Sequence, residues 1–110
     1  KYKWKNRILL LIANKEDVTL ISAVDKFFID LKCENEERNL GLLKIIKNKY
    51  TNIRIPEYLR NKKGIWLIGY DGFIKAYSKD KSLLLNIHSL IDKMPVRKEE
   101  MNEFKRNCQS

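Results

Sequence analysis

Two cysteines, Cys33 and Cys108, and one histidine, His88, are the residues of this chain best suited to covalent or proton-transfer chemistry. A thiol becomes a working nucleophile where a helix N-terminus or a cation lowers its pKa and keeps it ionised. The cysteines form no C-x-x-C pair, and with a single histidine there is no zinc-binding pattern. Two readings stay open for them: a Cys33–Cys108 disulfide in an oxidising compartment, or two inert, half-buried thiols. His88 lies at helical spacing from Leu84 and Ile91, which reads as a boundary histidine with a satisfied ring rather than a general base. No serine sits in a nucleophile-elbow context, and no glycine-rich phosphate loop is present. No metal or cofactor is expected.

The elements that must position these residues are organised around the stretch from Gly64 to Glu100. Ile65-Trp66-Leu67-Ile68 is an unbroken apolar run, as a strand covered on both faces would be. Asp71-Gly72 supplies the turn chemistry of a two-residue hairpin. Phe73, Lys75 and Tyr77 then alternate with Ile74 and Ala76, predicting a half-buried return strand. Ser82 caps a helix with an apolar stripe of Leu83, Leu84, Ile87, Leu90, Ile91 and Met94, stopped by Pro95.

Upstream, Arg7 to Ala13 reads as a central parallel strand. Asn14 to Asp17 offers a helix cap, and Val18, Ile21, Val24, Phe28 and Leu31 recur at helical spacing to about Cys33. Glu34 to Glu37 reads as an acidic connection, and Arg38 to Lys47 as a second strand. A short helix begins at Pro56. A mostly charged tail helix runs from about 96 to 109, with Met101, Phe104 and Cys108 as its thin stripe. The order β-α-β-α-β-β-α predicts a single α/β domain over residues 1–110, with its core at about 4–94. Its plan is thioredoxin-like: a central four-stranded mixed sheet with helices on both faces.

That plan locates the chemistry it would need. A thioredoxin-type nucleophile follows the first strand, at the start of the first helix, where Asn14-Lys15-Glu16-Asp17-Val18-Thr19 contains no sulfur. The proline that precedes the third strand in thioredoxins is replaced by Lys63-Gly64. The sequence therefore predicts a non-catalytic binding domain. The alternative is a thiol-dependent oxidoreductase using Cys33 or Cys108.

Lysine and arginine total 23 against 14 acidic residues, a formal net charge of +9. Such an excess favours anionic partners, with a well-solvated surface as the simpler reading. Aromatics near basic residues have equally good explanations at the core rim, so nucleic acid is not the expected partner. The longest wholly apolar run, Ile8 to Ala13, is far short of a membrane span.

Three segments carry a family resemblance: Glu37-Arg38-Asn39-Leu40, Gly69 to Lys75, and Ile91-Asp92-Lys93-Met94-Pro95-Val96-Arg97-Lys98-Glu99-Glu100-Met101. From about Trp4 to Met101 the chain resembles a peroxiredoxin-like domain of unknown function. That domain occurs alone in bacteria and within vertebrate sushi-repeat-containing and coiled-coil-domain matrix proteins. The resemblance implies a thioredoxin-like fold, frequent export (a secreted or periplasmic location) and no established activity. It also implies an adhesion-type role in which an unidentified protein or a polyanionic glycan is the partner. Within those segments, Arg97 and Glu100 follow Pro95 where a guanidinium is expected to pair with a carboxylate across the chain, such as Asp71 or Asp92, in a salt-bridge clip that fixes the tail helix to the hairpin. The functional reading of the same segments is an anion or peptide contact made by Arg38, Lys75, Lys93 and Arg97.

Overall fold

A computed structural model describes residues 6–47, 62–95 and 97–98. Strand β1 (Arg7–Asn14) leads through helix α1 (Val18–Asp30) and helix α2 (Lys32–Glu37) to strand β2 (Leu40–Lys47). Strands β3 (Gly64–Ile68) and β4 (Ile74–Ser78) form the hairpin, and a 3₁₀ turn (Lys81–Leu85) leads into helix α3 (Ile87–Asp92). The four strands make one mixed sheet in the order β2-β1-β3-β4. β1 and β2 are parallel, from Arg7 opposite Leu40 to Asn14 opposite Lys47. β3 runs antiparallel to both of its neighbours, β1 and β4.

The two central strands are apolar throughout because both of their faces are covered. Leu9, Leu11 and Ala13 of β1 join Ile65 and Leu67 of β3 on one face, against Val24 and Phe27 of α1 and against Leu83, Ile87 and Ile91. The intervening residues Leu10, Ile12, Trp66 and Ile68 form a second buried cluster with Ile45 on the other face. Each large side chain removed from water in this way contributes about 1.5–3 kcal/mol relative to exposure. An apolar run with no alternation is the pattern such a two-faced strand requires.

Local chemistry revises several expected boundaries. The first helix breaks at Leu31, and the stretch expected as an acidic connection is helical as α2. Asn35 points inward from α2 and is 1% exposed, so a polar sequence here conceals a packed element. β2 begins at Leu40 rather than Arg38. Asn39 takes a left-handed conformation with φ 51°, closing α2 as asparagine is able to do at low cost.

The hairpin loop is three residues long rather than two. Gly72 N donates to Gly69 O at 2.9 Å and Gly69 N to Phe73 O at 3.0 Å. Of the loop residues only Gly72 has a positive φ, 83°, the arrangement of a type I turn followed by a left-handed glycine. Asp71 contributes through its side chain, accepting from Phe73 N at 2.9 Å. β4 is more open than a half-buried strand: Ile74 and Tyr77 are each 41% exposed, and Ala76 supplies its contact with the core.

The segment after β4 starts with Asp80, whose carboxylate accepts from Ser82 N, so the cap is Asp80 rather than Ser82. A 3₁₀ turn and α3 follow where one continuous helix was expected. The short helix expected at Pro56 and the tail helix lie outside the described residues, apart from Arg97 and Lys98, which are helical.

Gly64 is required where β3 enters the sheet. Its φ is +134°, and a Cβ there would run into the Ser78 carbonyl oxygen and lie 2.8 Å from Tyr77 Cε1. Gly64→Ala is expected to lower the unfolding free energy by about 2–3 kcal/mol. Urea denaturation checks this, and an unchanged midpoint would contradict the tight β3–β4 approach.

Candidate functional site

The strongest concentration of polar side chains gathers at the junction of α2, β2, the hairpin loop and the end of α3. Asp92, the last residue of α3, receives Arg38 in a two-pronged pair: Nε to Oδ1 and Nη2 to Oδ2, each 3.0 Å. Arg97 adds its Nε to Asp92 Oδ1 at 3.2 Å. The Arg97 guanidinium also reaches α2, donating to Glu37 O at 3.0 Å and to Glu37 Oε1 at 2.9 Å. Arg38 donates through Nη1 to Glu34 O at 2.9 Å. Arg97 is 2% exposed and the Arg38 side chain 14%, so both cations need the partners they have.

A second arginine–tyrosine arm extends the cluster to β1. Arg7 Nη1 donates to Arg38 O at 2.7 Å and to the Tyr70 hydroxyl at 3.1 Å. Its guanidinium also stacks 4.4 Å from the Tyr70 ring centroid. Asn39 Nδ2 donates to the same hydroxyl at 3.0 Å. The left-handed turn at Asn39 lets consecutive residues serve both arms, Arg38 towards Asp92 and Asn39 towards Tyr70.

These contacts bring Arg38 and Arg97 together around Asp92. Glu100 lies outside the described residues, and the expected alternative acceptor, Asp71, is taken by Lys75 at 2.8 Å. Lys75 is therefore engaged on the hairpin, while Lys93 is exposed at the C-terminal cap of α3. Arg7 and Tyr70 were missed as members of this cluster. The available signal was an arginine opening an otherwise apolar strand.

Two electrostatic consequences follow. Burial pushes the Asp92 carboxyl upward, but the hydrogen bonds and charges of Arg38 and Arg97 outweigh it and hold the group below its ordinary value of 3.8. For His88, burial lowers the pKa from 6.5 and the nearby Arg38 charge adds to that, so the neutral ring is favoured. His88 Nε2 donates to Asn35 Oδ1 at 2.6 Å, since a carbonyl oxygen can only accept. Asn35 in turn donates to Phe27 O at 3.5 Å, and the His88 ring lies 5.3 Å from that of Phe27. The histidine thus bridges α3 to α2 and α1.

A groove of about 470 Å³ opens at the start of α1. Among the described residues, 16–20, Lys63, Lys79, Asp80 and Lys81 line it, with neither a thiol nor an imidazole in that set. Asp17 turns its carboxylate back to accept from Asn14 N at 2.8 Å, and Lys63 Nζ sits 3.6 Å from that carboxylate. Cys33 is at the opposite end of α1, partly buried in α2, and is not a free thiol. Cys108 lies outside the described residues. Among the described residues no group of His, Cys, Asp or Glu is placed to hold a metal ion. Nor is any helix there long and apolar enough to cross a membrane.

A mixed four-stranded sheet, packed by short helices and locked at one end by arginine–carboxylate pairs, defines a small α/β domain. The chain belongs to the DUF4174 family, a domain of unknown function, whose model matches residues 1–100. No curated protein and no solved structure matches the chain.

Asp92→Asn should lower the unfolding free energy by about 2–4 kcal/mol, because Arg38 and Arg97 would keep their burial and lose a counter-charge. Lys44→Ala, at the exposed Lys44–Asp25 pair, should change it far less. Equal effects in chemical denaturation would count against the cluster as a structural lock.

Stability should also depend on pH in two windows. His88 has a depressed folded-state pKa, so its contribution is complete above 6.5 and declines as pH falls from there. Asp92 behaves likewise below its ordinary 3.8, its contribution disappearing as pH falls through the lowered value. His88→Gln should flatten the first window and leave the second, which denaturation midpoints measured across pH would reveal.

Proposed function

We propose that this chain is a non-catalytic, thioredoxin-like binding domain that works outside the cytoplasm and recognises an anionic partner. The sheet order, with β1 parallel to β2 and β3 antiparallel between β1 and β4, agrees with the thioredoxin plan. The observation that carries the reading is the groove at the start of α1. Thioredoxin-type chemistry places its thiolate there, and here carboxylates, lysines, Val18 and Thr19 occupy the position. A helix end lowers a thiol pKa only for a sulfur within its first turn; Cys33 stands in the first turn of the short α2, beyond the far end of α1 and so away from this groove, and it is not a free thiol.

The surplus of positive charge supports an anionic partner, a polyanionic glycan or an acidic protein. In this reading Arg38 and Arg97 hold the framework by pairing with Asp92 and Glu37. Lys75 and Lys93 remain at the surface to meet a ligand. The matrix-protein relationship implied by the three signature segments is consistent with export, as is a Cys33–Cys108 disulfide, which we propose as a cross-link between α2 and the C-terminal end of the chain.

The intact protein should turn over neither peroxide nor a small disulfide faster than the Cys33→Ser/Cys108→Ser variant. Turnover that the double variant loses would establish the thiol-dependent reading instead. Alkylation of unreduced, denatured protein should modify no cysteine, and reduction should expose two and lower stability by about 2–4 kcal/mol. Free thiols without reductant would remove the disulfide from the proposal.

A further inference from the structure

Two neighbouring hollows share Lys63 and Lys79 but differ in charge. The groove at the start of α1 sets Lys63, Lys79 and Lys81 against Glu16, Asp17 and Asp80, so its charges balance. The other hollow, about 530 Å³, has Lys62, Lys63, Lys79 and Tyr77 as its described lining residues, with no carboxylate among those, although Lys63 also reaches Asp17 of the first groove at 3.6 Å. At its edge Lys47 Nζ donates to the Lys62 carbonyl at 3.5 Å.

Tyr77 gives this basic hollow a fixed aromatic wall. Its ring pairs across the hairpin with Trp66, centroids 4.6 Å apart and planes inclined by 33°. Its hydroxyl donates to Lys63 O at 2.8 Å. Gly64 leaves the space in which the ring lies, since a Cβ there would come within 2.8 Å of Tyr77 Cε1. The residue is nevertheless 41% exposed. A half-open aromatic held by a neighbour and a hydrogen bond loses little entropy when a ligand settles on it.

We propose that the hollow formed by Lys62, Lys63, Lys79 and Tyr77 is a binding site for a sulfated polysaccharide, with a sugar ring against Tyr77 and its sulfates on the lysines. This rests on the anionic-partner reading above and gives that partner a site and a chemistry. Lysines act as mobile point charges suited to sulfates arranged around a ring, and they lack the planar fork that arginine uses for bidentate recognition. A nucleic-acid strand would favour a series of stacking platforms along a basic track, whereas among the described residues of the hollow one ring, that of Tyr77, stands with the lysines. A membrane surface would call for apolar side chains beside the cations. The exposed Phe73 is instead at the opposite end of β4, and Val18, exposed in the neighbouring groove, is a single small side chain set among carboxylates as well as lysines.

The test is titration calorimetry of the full chain with a heparin octasaccharide, its desulfated counterpart and single-stranded DNA of equal charge, in 0.1 M salt or about that. The sulfated octasaccharide should bind more tightly than either control. Lys62→Gln/Lys79→Gln should weaken it about tenfold, and Tyr77→Leu should weaken it with its salt dependence unchanged, because no charge is removed. Lys15→Gln/Lys32→Gln is the control for loss of net charge alone, and thermal denaturation of each variant keeps misfolding separate from lost binding. Sulfated-ligand binding that both lysine double variants weaken equally would overturn this site and leave the anionic-partner reading intact. DNA binding at least as tight as the octasaccharide would replace the ligand class. Failure to bind either polyanion would overturn both readings.

Discussion

A carboxylate shared by two arginines governs how the ends of this domain come together. Asp92 closes α3, Arg38 follows α2, and Arg97 lies beyond Pro95, so one acidic side chain ties three chain segments to a common point. Removing charges from water carries a large cost, and a buried pair of this kind gains little over apolar packing of similar volume. Its distinctive contribution is geometric. A guanidinium fork accepts few arrangements, and each acceptor here is either the Asp92 carboxylate or a backbone or side-chain oxygen of α2. Apolar side chains could fill the same space in many registers; this cluster fits one.

The same logic explains which parts of the fold were legible from sequence. Central strands with two covered faces produce continuous apolar runs, and β1 and β3 stand where those runs are. Helix α2 was unreadable because its inward contacts are polar. Asn35, Glu37 and the backbone oxygen of Glu34 face partners rather than oil, and a stretch rich in acidic residues resembles a solvated linker. The hairpin was recognisable from Asp71-Gly72, but its length depends on whether Asp71 itself takes a positive φ. It does not, and the turn therefore extends over three residues.

The candidate site was legible by residue type but not by partner. Arg38 and Arg97 stood out in the signature segments, yet their acceptors are 54 and 60 residues away as well as nearby. Spacing along the chain cannot select such acceptors; packing does. Arg7 was hidden by its position at the start of an apolar strand, and Tyr70 by the hairpin that carries it. The basic hollow was missed because its lysines come from either side of β3 and β4. Only the antiparallel register brings residues 62–63 and 79 to one end.

The distribution of cations follows from their hydration. All three arginines among the described residues, Arg7, Arg38 and Arg97, are engaged inside or at the edge of the ion cluster. A guanidinium is weakly hydrated and can satisfy several oxygens at once, whereas an ammonium retains water strongly and favours the surface. The interior therefore uses arginine, with Arg38 and Arg97 on carboxylates and Arg7 on a carbonyl and a tyrosine hydroxyl, and lysine is left to the surface. Where those lysines meet carboxylates, as at the start of α1, the local field cancels. Around Tyr77 the described lining residues include no carboxylate, and the nearest compensation is the Lys63–Asp17 pair in the neighbouring groove. The same separation of arginine from lysine that fixes the architecture thus leaves Lys62, Lys63 and Lys79 at the surface beside a held aromatic ring.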